Sequence, residues 1–264
     1  MVSLSMRRVW FSYDGSSYVL RNASLSVRGG EVVAVTGPTG SGKTTTLLVL
    51  AGLLRPERGE VLLDGSPVGD KPEIRRRIGI LFQDPDDQLF NPRVYDEIAY
   101  ALRTLGMSEH EVADRVNSVS GDLGLSSLLD RPVYKLSVGQ KRLVALASIL
   151  VYEPDVLLLD EPTANLDRRG VGYIRDLILR YRDSGRVVVV AAHDVDLLLT
   201  LADRICLMRG GILECGRYED ILGSGVLGET GLPLPSYLER LVEKEGWRGL
   251  ARLARELRSP DNPV

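Results

Sequence analysis

The chain has few cysteines, no long apolar run and little net charge, and each shortage excludes a class of protein. About 18 consecutive apolar residues are needed to span a bilayer as a helix, and no segment provides them. The first eight residues also lack the apolar run of a secretory signal. The net charge of −3 over 264 residues argues against nucleic acid as the main partner, because phosphate binding favours a basic surface. We therefore expect a cytosolic protein that reaches a membrane only through partners.

The only two cysteines, Cys206 and Cys215, lie on either side of the run Arg209-Gly210-Gly211. Such a pair could form a bridge within a small hairpin. We expect free, half-buried thiols in adjacent strands, because reducing compartments keep isolated cysteine pairs reduced. A chain of this length buries roughly 70–75% of its unfolded surface and needs no disulfide to hold its core together.

Several segments are typical of buried strands with helices between them. Glu31–Thr36, Val156–Leu159 and Val187–Ala191 are aliphatic and nearly free of charge, as strands of a parallel sheet are. The helical pattern Val171–Tyr181 separates the last two. This order predicts an α/β protein with a mainly parallel sheet. Arg8–Val27 instead alternates apolar and polar residues, which predicts an N-terminal antiparallel β part.

The middle and the end of the chain show helical spacing. Val94–Leu105 and Glu109–Leu123 predict a helical subdomain inserted into the sheet protein. Near the end, leucines, Val242 and Ala254 recur at helical spacing among charged residues, so we expect amphipathic helices that pack on their own domain. The predicted organisation is a core formed by residues 1–83 and 153–222, a helical subdomain 84–152 and a C-terminal helical extension 223–264.

A glycine-rich run follows the strand Glu31–Thr36 and precedes a helical pattern that extends to Leu54. It is Gly37-Pro38-Thr39-Gly40-Ser41-Gly42-Lys43-Thr44, which fits the phosphate-binding loop. Glycines let backbone N–H groups surround an anion, and the helix N-terminus adds partial positive charge. We predict that Lys43 reaches the β- and γ-phosphates of ATP, that the Thr44 hydroxyl coordinates Mg²⁺, and that Thr45 belongs to the same nucleotide site. A chance glycine-rich turn is the alternative, and the flanking elements argue against it.

Two carboxylates, Asp160 and Glu161, follow the strand Val156–Leu159. Ligands bind at the carboxyl ends of the strands in an open parallel sheet. We predict that Asp160 holds Mg²⁺ through water, and that Glu161 orients or deprotonates the attacking water. An acidic helix cap would look similar by itself. Together with the glycine-rich run, the carboxylates predict a P-loop NTPase whose core, 1–83 and 153–222, binds the nucleotide.

The run Leu136-Ser137-Val138-Gly139-Gln140 before a helical segment resembles the signature Leu-Ser-Gly-Gly-Gln of the ABC ATPases. The resemblance implies that Ser137 and Gly139 contact ATP bound by a second subunit. Val138 stands where the family has its first signature glycine. Because a β-branched residue resists positive φ, we expect negative φ at this position.

Other residues match ABC motifs in the order that the family has. The resemblance implies that Gln83 senses Mg²⁺ and the attacking water, that Asp167 lies near the dimer seam, that His193 touches the γ-phosphate, and that Tyr13 stacks on adenine. Taken singly, such residues have ordinary structural alternatives: a solvated glutamine, a core or surface histidine, a packed tyrosine. Their joint order favours the functional interpretation.

A finer resemblance starts at Gln83-Asp84-Pro85-Asp86-Asp87-Gln88-Leu89-Phe90, which is similar to the corresponding loop of the energy-coupling factor (ECF) ATPases, the importers of cobalt, nickel and vitamins. Leu232-Pro233-Leu234-Pro235 resembles the start of that group's C-terminal extension. The resemblance implies an ATPase at the cytoplasmic face of the membrane. Its partners would be a second ABC ATPase subunit, identical or homologous, and integral membrane subunits. The alternatives are a soluble non-transport ABC ATPase and the ATPase of a conventional ABC permease.

Overall fold

A computed structural model of the chain describes residues 1–69, 72–229 and 234–258. Two sheets and a set of helices form the described part. The strands are β1 Ser3–Ser12, β2 Tyr18–Arg28, β3 Glu31–Thr36, β4 Arg58–Leu63, β5 Ser66–Pro67, β6 Ile78–Leu81, β7 Val156–Asp160, β8 Val187–Ala191, β9 Arg204–Arg209 and β10 Ile212–Arg217. The helices are α1 Lys43–Leu50, α2 Pro72–Arg75, α3 Val94–Thr104, α4 Glu109–Asp122, α5 Val138–Leu150, α6 Arg168–Asp183, α7 Val195–Leu201, α8 Tyr218–Gly223, α9 Val226–Glu229, α10 Ser236–Glu245 and α11 Trp247–Leu257.

The central sheet has the order β10-β9-β3-β8-β7-β6. Its strands from β9 to β6 are parallel, and β10 is an antiparallel edge strand. All five residues of β7 and all five of β8 are buried, because α5 and α6 cover one face of the sheet and α1 covers the other together with strands β1, β2 and β4. The prediction of an α/β fold with a mainly parallel sheet is therefore confirmed.

The second sheet is antiparallel, with the order β2-β1-β4-β5. The predicted antiparallel part is thus confirmed, and it begins at Ser3, before the alternating segment on which the prediction rested. The pairing of β1 with β2 shifts between Met6 and Val9, where Arg8 has a positive φ of 47°. This bulge increases the local twist of the strand. The backbone N–H of Arg21 donates to the carbonyl of Gly211 over 2.7 Å, which joins this sheet to the β9–β10 turn.

Helices α3, α4 and α5 form a block whose apolar side chains pack in one cluster with residues of β6, β7 and β8. Capping boxes start two of them: Ser108 with Glu111 at α4, and Ser137 with Gln140 at α5. Each box satisfies N–H groups that have no partner within the helix. Helix α5 begins at Val138, so Val138 has a helical conformation. The expectation of negative φ at Val138 is confirmed.

Near the phosphate-loop run, helix α1 ends at Leu50 rather than at the predicted Leu54. Gly52 has a φ of 70°, in the left-handed region that ends many helices. The backbone then turns toward β4, which lies beside β1 in the antiparallel sheet. The glycine ends the helix because an L-residue continues a left-handed turn only at a cost in strain.

The C-terminal helices pack on the sheet protein, as the amphipathic pattern predicts. Leu238 of α10 and Leu250 and Ala254 of α11 are fully buried, in one cluster with Leu198 of α7 and Ala34 of β3. An apolar stripe therefore connects the extension to the strand that precedes the glycine-rich run. Of the run before α10, Leu232 and Pro233 lie outside the described residues.

The prediction of free thiols is wrong. Cys206 in β9 and Cys215 in β10 face each other in the antiparallel pairing and form a disulfide, with a Cα–Cα distance of 4.0 Å. Directly opposed residues of an antiparallel pair project from the same face, which is the arrangement that a cross-strand bridge needs. Cys206 lies in turn beside Val35 of β3.

Candidate active site

Three glycines with positive φ shape the loop between β3 and α1. The φ angles are 149° at Gly37, 75° at Gly40 and 109° at Gly42. A Cβ at Gly37 would lie 2.5 Å from the carbonyl oxygen of Met208 in β9, so only glycine fits there. The hydroxyl of Ser41 is buried without a hydrogen-bond partner among the described residues. Backbone N–H groups and this hydroxyl are therefore available to an anion held by the loop.

Lys43 brings a positive charge to the same loop. The side chain is 7% exposed, and its Nζ donates to the carbonyls of Gly37 at 2.9 Å and Pro38 at 3.1 Å. Burial lowers the pKa of Lys43, while the nearby charges of Glu161 and Asp160 oppose that shift. Both acceptors are neutral carbonyls, so the ammonium charge is left for a phosphate in the loop.

Thr44 and Asp160 connect the phosphate loop to the end of β7. The Thr44 hydroxyl donates to Asp160 Oδ2 over 2.6 Å. Asp160 is 2% exposed, and burial raises its pKa against the opposing effects of Thr44, Lys43 and Arg142. Among the described residues no cluster of three or more His, Cys, Asp or Glu side chains could hold a metal ion. A hydroxyl beside one carboxylate fits Mg²⁺, which takes its remaining ligands from phosphate and water.

Glu161 lies beside His193 at the edge of the same site. Glu161 Oε2 accepts from the backbone N–H of His193 at 3.4 Å, and Oε1 lies 3.4 Å from His193 Nε2. Burial raises the pKa of Glu161; burial and the charge of Lys43 lower the pKa of His193. Oε1 has no hydrogen-bond partner among the described atoms. This combination gives a carboxylate with increased proton affinity and a free oxygen, which suits a general base.

The backbone at Glu161 is strained. Its φ of 46° is uncommon for a residue with a side chain and costs of order 1–3 kcal/mol. The N–H of Glu161 donates to the carbonyl of Ala191 at 2.8 Å, which holds the turn after β7 against the end of β8. The strained residue is therefore the one whose carboxylate contacts His193.

Arg142 in α5 is a residue that the sequence analysis missed. It is 1% exposed, and its two terminal nitrogens donate to the carbonyls of Glu161 and Gln83, each over 2.6 Å. One guanidinium therefore bonds the turn after β7 to the loop after β6. A signal was present in the sequence, because Arg142 shares a helical face with Leu146 and Ile149, both buried. A charge on an apolar face indicates a buried polar contact.

A cavity of about 700 Å³ opens beside Thr44 and Asp160. Gln83, Val138 and Arg142 also line it, so the predicted Gln83 lies with the phosphate-loop residues. Lys141 and Asp86 form an ion pair of 2.5 Å that ties α5 to the turn after Gln83. That pair is partly solvated and therefore adds little stability by itself.

Ser137, Gly139 and Asp167 lie together in a second cavity, of about 730 Å³. The Ser137 side chain accepts from the N–H of Gln140 at 3.3 Å, and Asp167 caps α6 by accepting from Gly170 at 2.8 Å. The structure thus groups these predicted residues with one another, in a cavity that Lys43, Asp160 and Glu161 do not line.

Tyr13 lies beside the first turn of α1. Its hydroxyl is 3.1 Å from the Thr45 hydroxyl, and Phe11 contacts it edge to face with ring centroids 4.9 Å apart. The tyrosine is 63% exposed. An exposed ring beside the phosphate loop offers a stacking surface for a base.

Comparison with known proteins gives the family. The family model described as ABC transporter matches residues 20–164, which include the phosphate loop, the signature and the two carboxylates. The chain belongs to the ABC transporter family. As a member, it is an ATP-binding subunit whose ATPase activity drives transport. None of its described helices is long and apolar enough to cross a bilayer.

Two curated relatives of this ABC family member match over most of their length. The cobalt import ATP-binding protein CbiO of Rhodobacter capsulatus is 40% identical over 247 residues, which are 91% of this chain and 88% of the relative. The energy-coupling factor transporter ATP-binding protein EcfA of Methanocaldococcus jannaschii is 38% identical over 253 residues, which are 93% of this chain and 91% of the relative. The chain is therefore similar in sequence to ATPases of the ECF group, as the Gln83–Phe90 run predicts.

The solved structures agree. The cbiO1 protein of Clostridium perfringens, described as part of the ABC transporter complex cbiONQ, has a TM-score of 0.74 at 33% identity and covers 91% of this chain and 98% of its own. A dimeric bacterial ABC transporter cassette has a TM-score of 0.75 at 28% identity, covering 81% of this chain and 98% of its own. The prediction of an ABC-type ATPase fold is confirmed.

Proposed function

We propose that this protein is the ATP-hydrolysing subunit of an ECF-type importer of a metal ion or a vitamin. The observation that carries the proposal is the assembly at the end of β7: the Thr44–Asp160 hydrogen bond of 2.6 Å and Glu161 beside His193. The relatives named for cobalt import and for energy-coupling factor transport support the ECF assignment. The three-part division into core, helical subdomain and extension is part of the same proposal.

The residues divide the chemistry among them. Lys43 and the loop N–H groups hold the phosphates of ATP, and Tyr13 stacks on the adenine. Thr44, Asp160 and Gln83 would hold Mg²⁺, which neutralises charge on the phosphate oxygens when bound. Glu161 takes the proton of the attacking water, because its free Oε1 and raised proton affinity suit a base. His193, held neutral by its lowered pKa, donates one hydrogen bond toward the γ-phosphate.

The signature residues act across a dimer. Ser137, Gly139 and Asp167 line a cavity that the phosphate-loop residues of the same chain do not. We place the γ-phosphate of ATP bound by a second ATPase subunit, identical or homologous, against the N-terminus of α5. Val138 is 52% exposed at the first turn of α5 and lines both this cavity and the one at Thr44 and Asp160. ATP then contacts both subunits and closes the dimer, and hydrolysis removes those contacts.

The membrane partners dock on an apolar groove of about 400 Å³ beside α3. Leu53 at 50% exposure, Tyr100 at 49% and Leu105 at 39% line it, as expected for a surface that receives a partner. A segment of an integral membrane subunit lies there in the proposed complex. The ATPase is then peripheral, at the cytoplasmic face of the membrane, and membrane subunits select the cargo.

The test has two parts. Tagged protein is purified from its source cell in mild detergent, and the co-eluting proteins are identified by mass spectrometry. A transmembrane scaffold together with a small substrate-binding membrane protein supports the ECF-type importer. A conventional permease pair refutes the subfamily, and the absence of any membrane protein from an active ATPase refutes transport.

In the second part, Glu161→Gln is compared with the parent protein. The amide cannot accept a proton, so we expect kcat to fall by about 100-fold or more while ATP binding is kept. Asp183→Asn, an exposed carboxylate at the end of α6, is the matched control and keeps parental kcat. Equal kcat in Glu161→Gln and the parent would remove Glu161 from its role.

A further inference from the structure

The C-terminal extension contacts the helix that follows His193. Helix α7 starts two residues after His193 and has only seven residues. A helix of this length is not stable on its own, because nucleation costs more than a few hydrogen bonds return. Its position, and the position of His193, therefore depend on what packs around it.

One contact closes the C-terminal end of α7. The last carbonyls of a helix have no partner within it. Arg258, just after α11, donates from Nε to the carbonyl of Leu199 at 2.7 Å and from a terminal nitrogen to the carbonyl of Leu198 at 2.9 Å. Its guanidinium also stacks on the ring of Tyr218, with Cζ 3.8 Å from the ring centroid. A cation at a helix C-terminus is additionally favoured by the helix dipole.

A second contact holds the first turn of α7. The hydroxyl of Tyr237 in α10 donates to Asp196 Oδ1. The backbone N–H of Asp196 in turn donates to the side chain of Asp194 at 2.9 Å, and Asp194 is the residue next to His193. Tyr237 is thus connected to the neighbour of His193 through two hydrogen bonds.

Apolar packing joins these two contacts. Leu198 and Leu199 of α7 are fully buried in one cluster with Leu238 and Leu250 of the extension. Ala34 of β3 belongs to the same cluster, so α7 lies between the extension and the strand that precedes the phosphate loop. Among the described residues, the extension thus contacts the start, the buried face and the end of α7.

We infer that Tyr237 and Arg258 are positioning residues for ATP hydrolysis: they fix α7, and through it the imidazole of His193 relative to Glu161. The inference rests on the proposed function, because it needs His193 to act in hydrolysis. It assigns the extension a role in the chemical step, although neither residue lines the cavity at Thr44 and Asp160.

The experiment compares Arg258→Ala, Arg258→Lys and Tyr237→Phe with the parent in the full chain. Arg252→Ala is the matched control, since Arg252 lies in α11, the helix that Arg258 follows, and pairs with Glu245 and Glu256 inside the extension. For each protein we measure kcat, KM for ATP, the ATP dissociation constant, the melting temperature, and amide hydrogen exchange over residues 193–201.

We expect Arg258→Ala to lower kcat by about three- to tenfold, because small misplacement of a catalytic group is costly, with KM and ATP affinity within about twofold of the parent. Exchange over 195–201 becomes about tenfold faster, since local opening is easier. Tyr237→Phe shows the same pattern more weakly. Lys keeps a donor for one carbonyl, so Arg258→Lys recovers part of the kcat. Arg252→Ala matches the parent.

Parental kcat and parental exchange in Arg258→Ala would overturn the inference. A fall in kcat that Arg252→Ala shares would also overturn it. The same holds if kcat falls together with the melting temperature and amide hydrogen exchange over 195–201 is not selectively faster. Glu161→Gln distinguishes a failure of this inference from a failure of the proposed function. If it is inactive while Arg258→Ala is normal, only the inference fails; if it hydrolyses ATP like the parent, the proposed function itself fails.

Discussion

Replacing Arg142 by methionine tests the bond between the two active-site loops. Methionine keeps much of the length and apolar volume of arginine and removes every donor. The carbonyls of Gln83 and Glu161 each lose a 2.6 Å hydrogen bond in a partly buried place. Each stranded carbonyl costs about 1–3 kcal/mol, or about 2–6 kcal/mol for both. Methionine also no longer buries a charge, which returns part of that loss. We expect the free energy of unfolding to fall by about 2–4 kcal/mol.

Urea denaturation at constant m-value measures this change. The control is Arg131→Met, at an exposed arginine outside the site, and its free energy of unfolding should stay within about 0.5 kcal/mol of the parent. Because the turn that carries Glu161 loses its support, kcat falls as well, by about tenfold or more, under conditions where the variant is fully folded. A variant as stable and as active as the parent would refute the reasoning. A stable variant with reduced kcat would limit the role of Arg142 to positioning.

Three further predictions concern other parts of the molecule. Lys43→Ala removes a charge-assisted contact to phosphate, so ATP affinity falls by about 10- to 100-fold in a direct binding assay; unchanged affinity would contradict the loop assignment. Tyr13→Ala raises the dissociation constant for ATP by about tenfold, because base stacking is worth about 1–3 kcal/mol. Tyr13→Phe keeps the ring, so its dissociation constant stays within about twofold of the parent. Equal losses of affinity in both variants would indicate that the hydroxyl contact to Thr45 matters instead. Cys215→Ser lowers the free energy of unfolding by about 2–3 kcal/mol without reductant, because the disulfide no longer restricts the entropy of the unfolded chain. The difference between variant and parent disappears when both proteins are reduced. A difference that persists in reductant would have a cause other than the disulfide.

Local patterns allowed much of the fold and the site to be predicted. The glycine-rich run and the Asp160-Glu161 pair each stand next to a strand whose character is visible in a few residues, so their place at the sheet edge follows from topology. The structure indeed brings Thr44 to Asp160 and Glu161 to His193. The catalytic roles of these residues remain predictions until the variants are measured.

The features that were missed depend on distant partners. Arg142 binds main-chain carbonyls 59 and 19 residues away, and a carbonyl carries no sequence signature. The disulfide depends on the register that places Cys206 opposite Cys215, whereas the prediction was made from the expected compartment. The amphipathic pattern of the extension indicated burial, but it did not indicate that Arg258 would reach the carbonyls of α7.

The position of β3 in the central sheet has a consequence for synthesis on the ribosome. The phosphate-loop strand is complete at Thr36, yet both of its neighbours, β8 and β9, come from residues 187–209. The antiparallel sheet needs only residues up to Pro67, so it can form early, whereas β3 has both edges unpaired until residue 209 has been synthesised. Pairing over such sequence separation is slow. Nucleotide therefore cannot assist folding of the nascent chain until β8 and β9 have been synthesised, and until then the unpaired edges of β3 are open to wrong pairing.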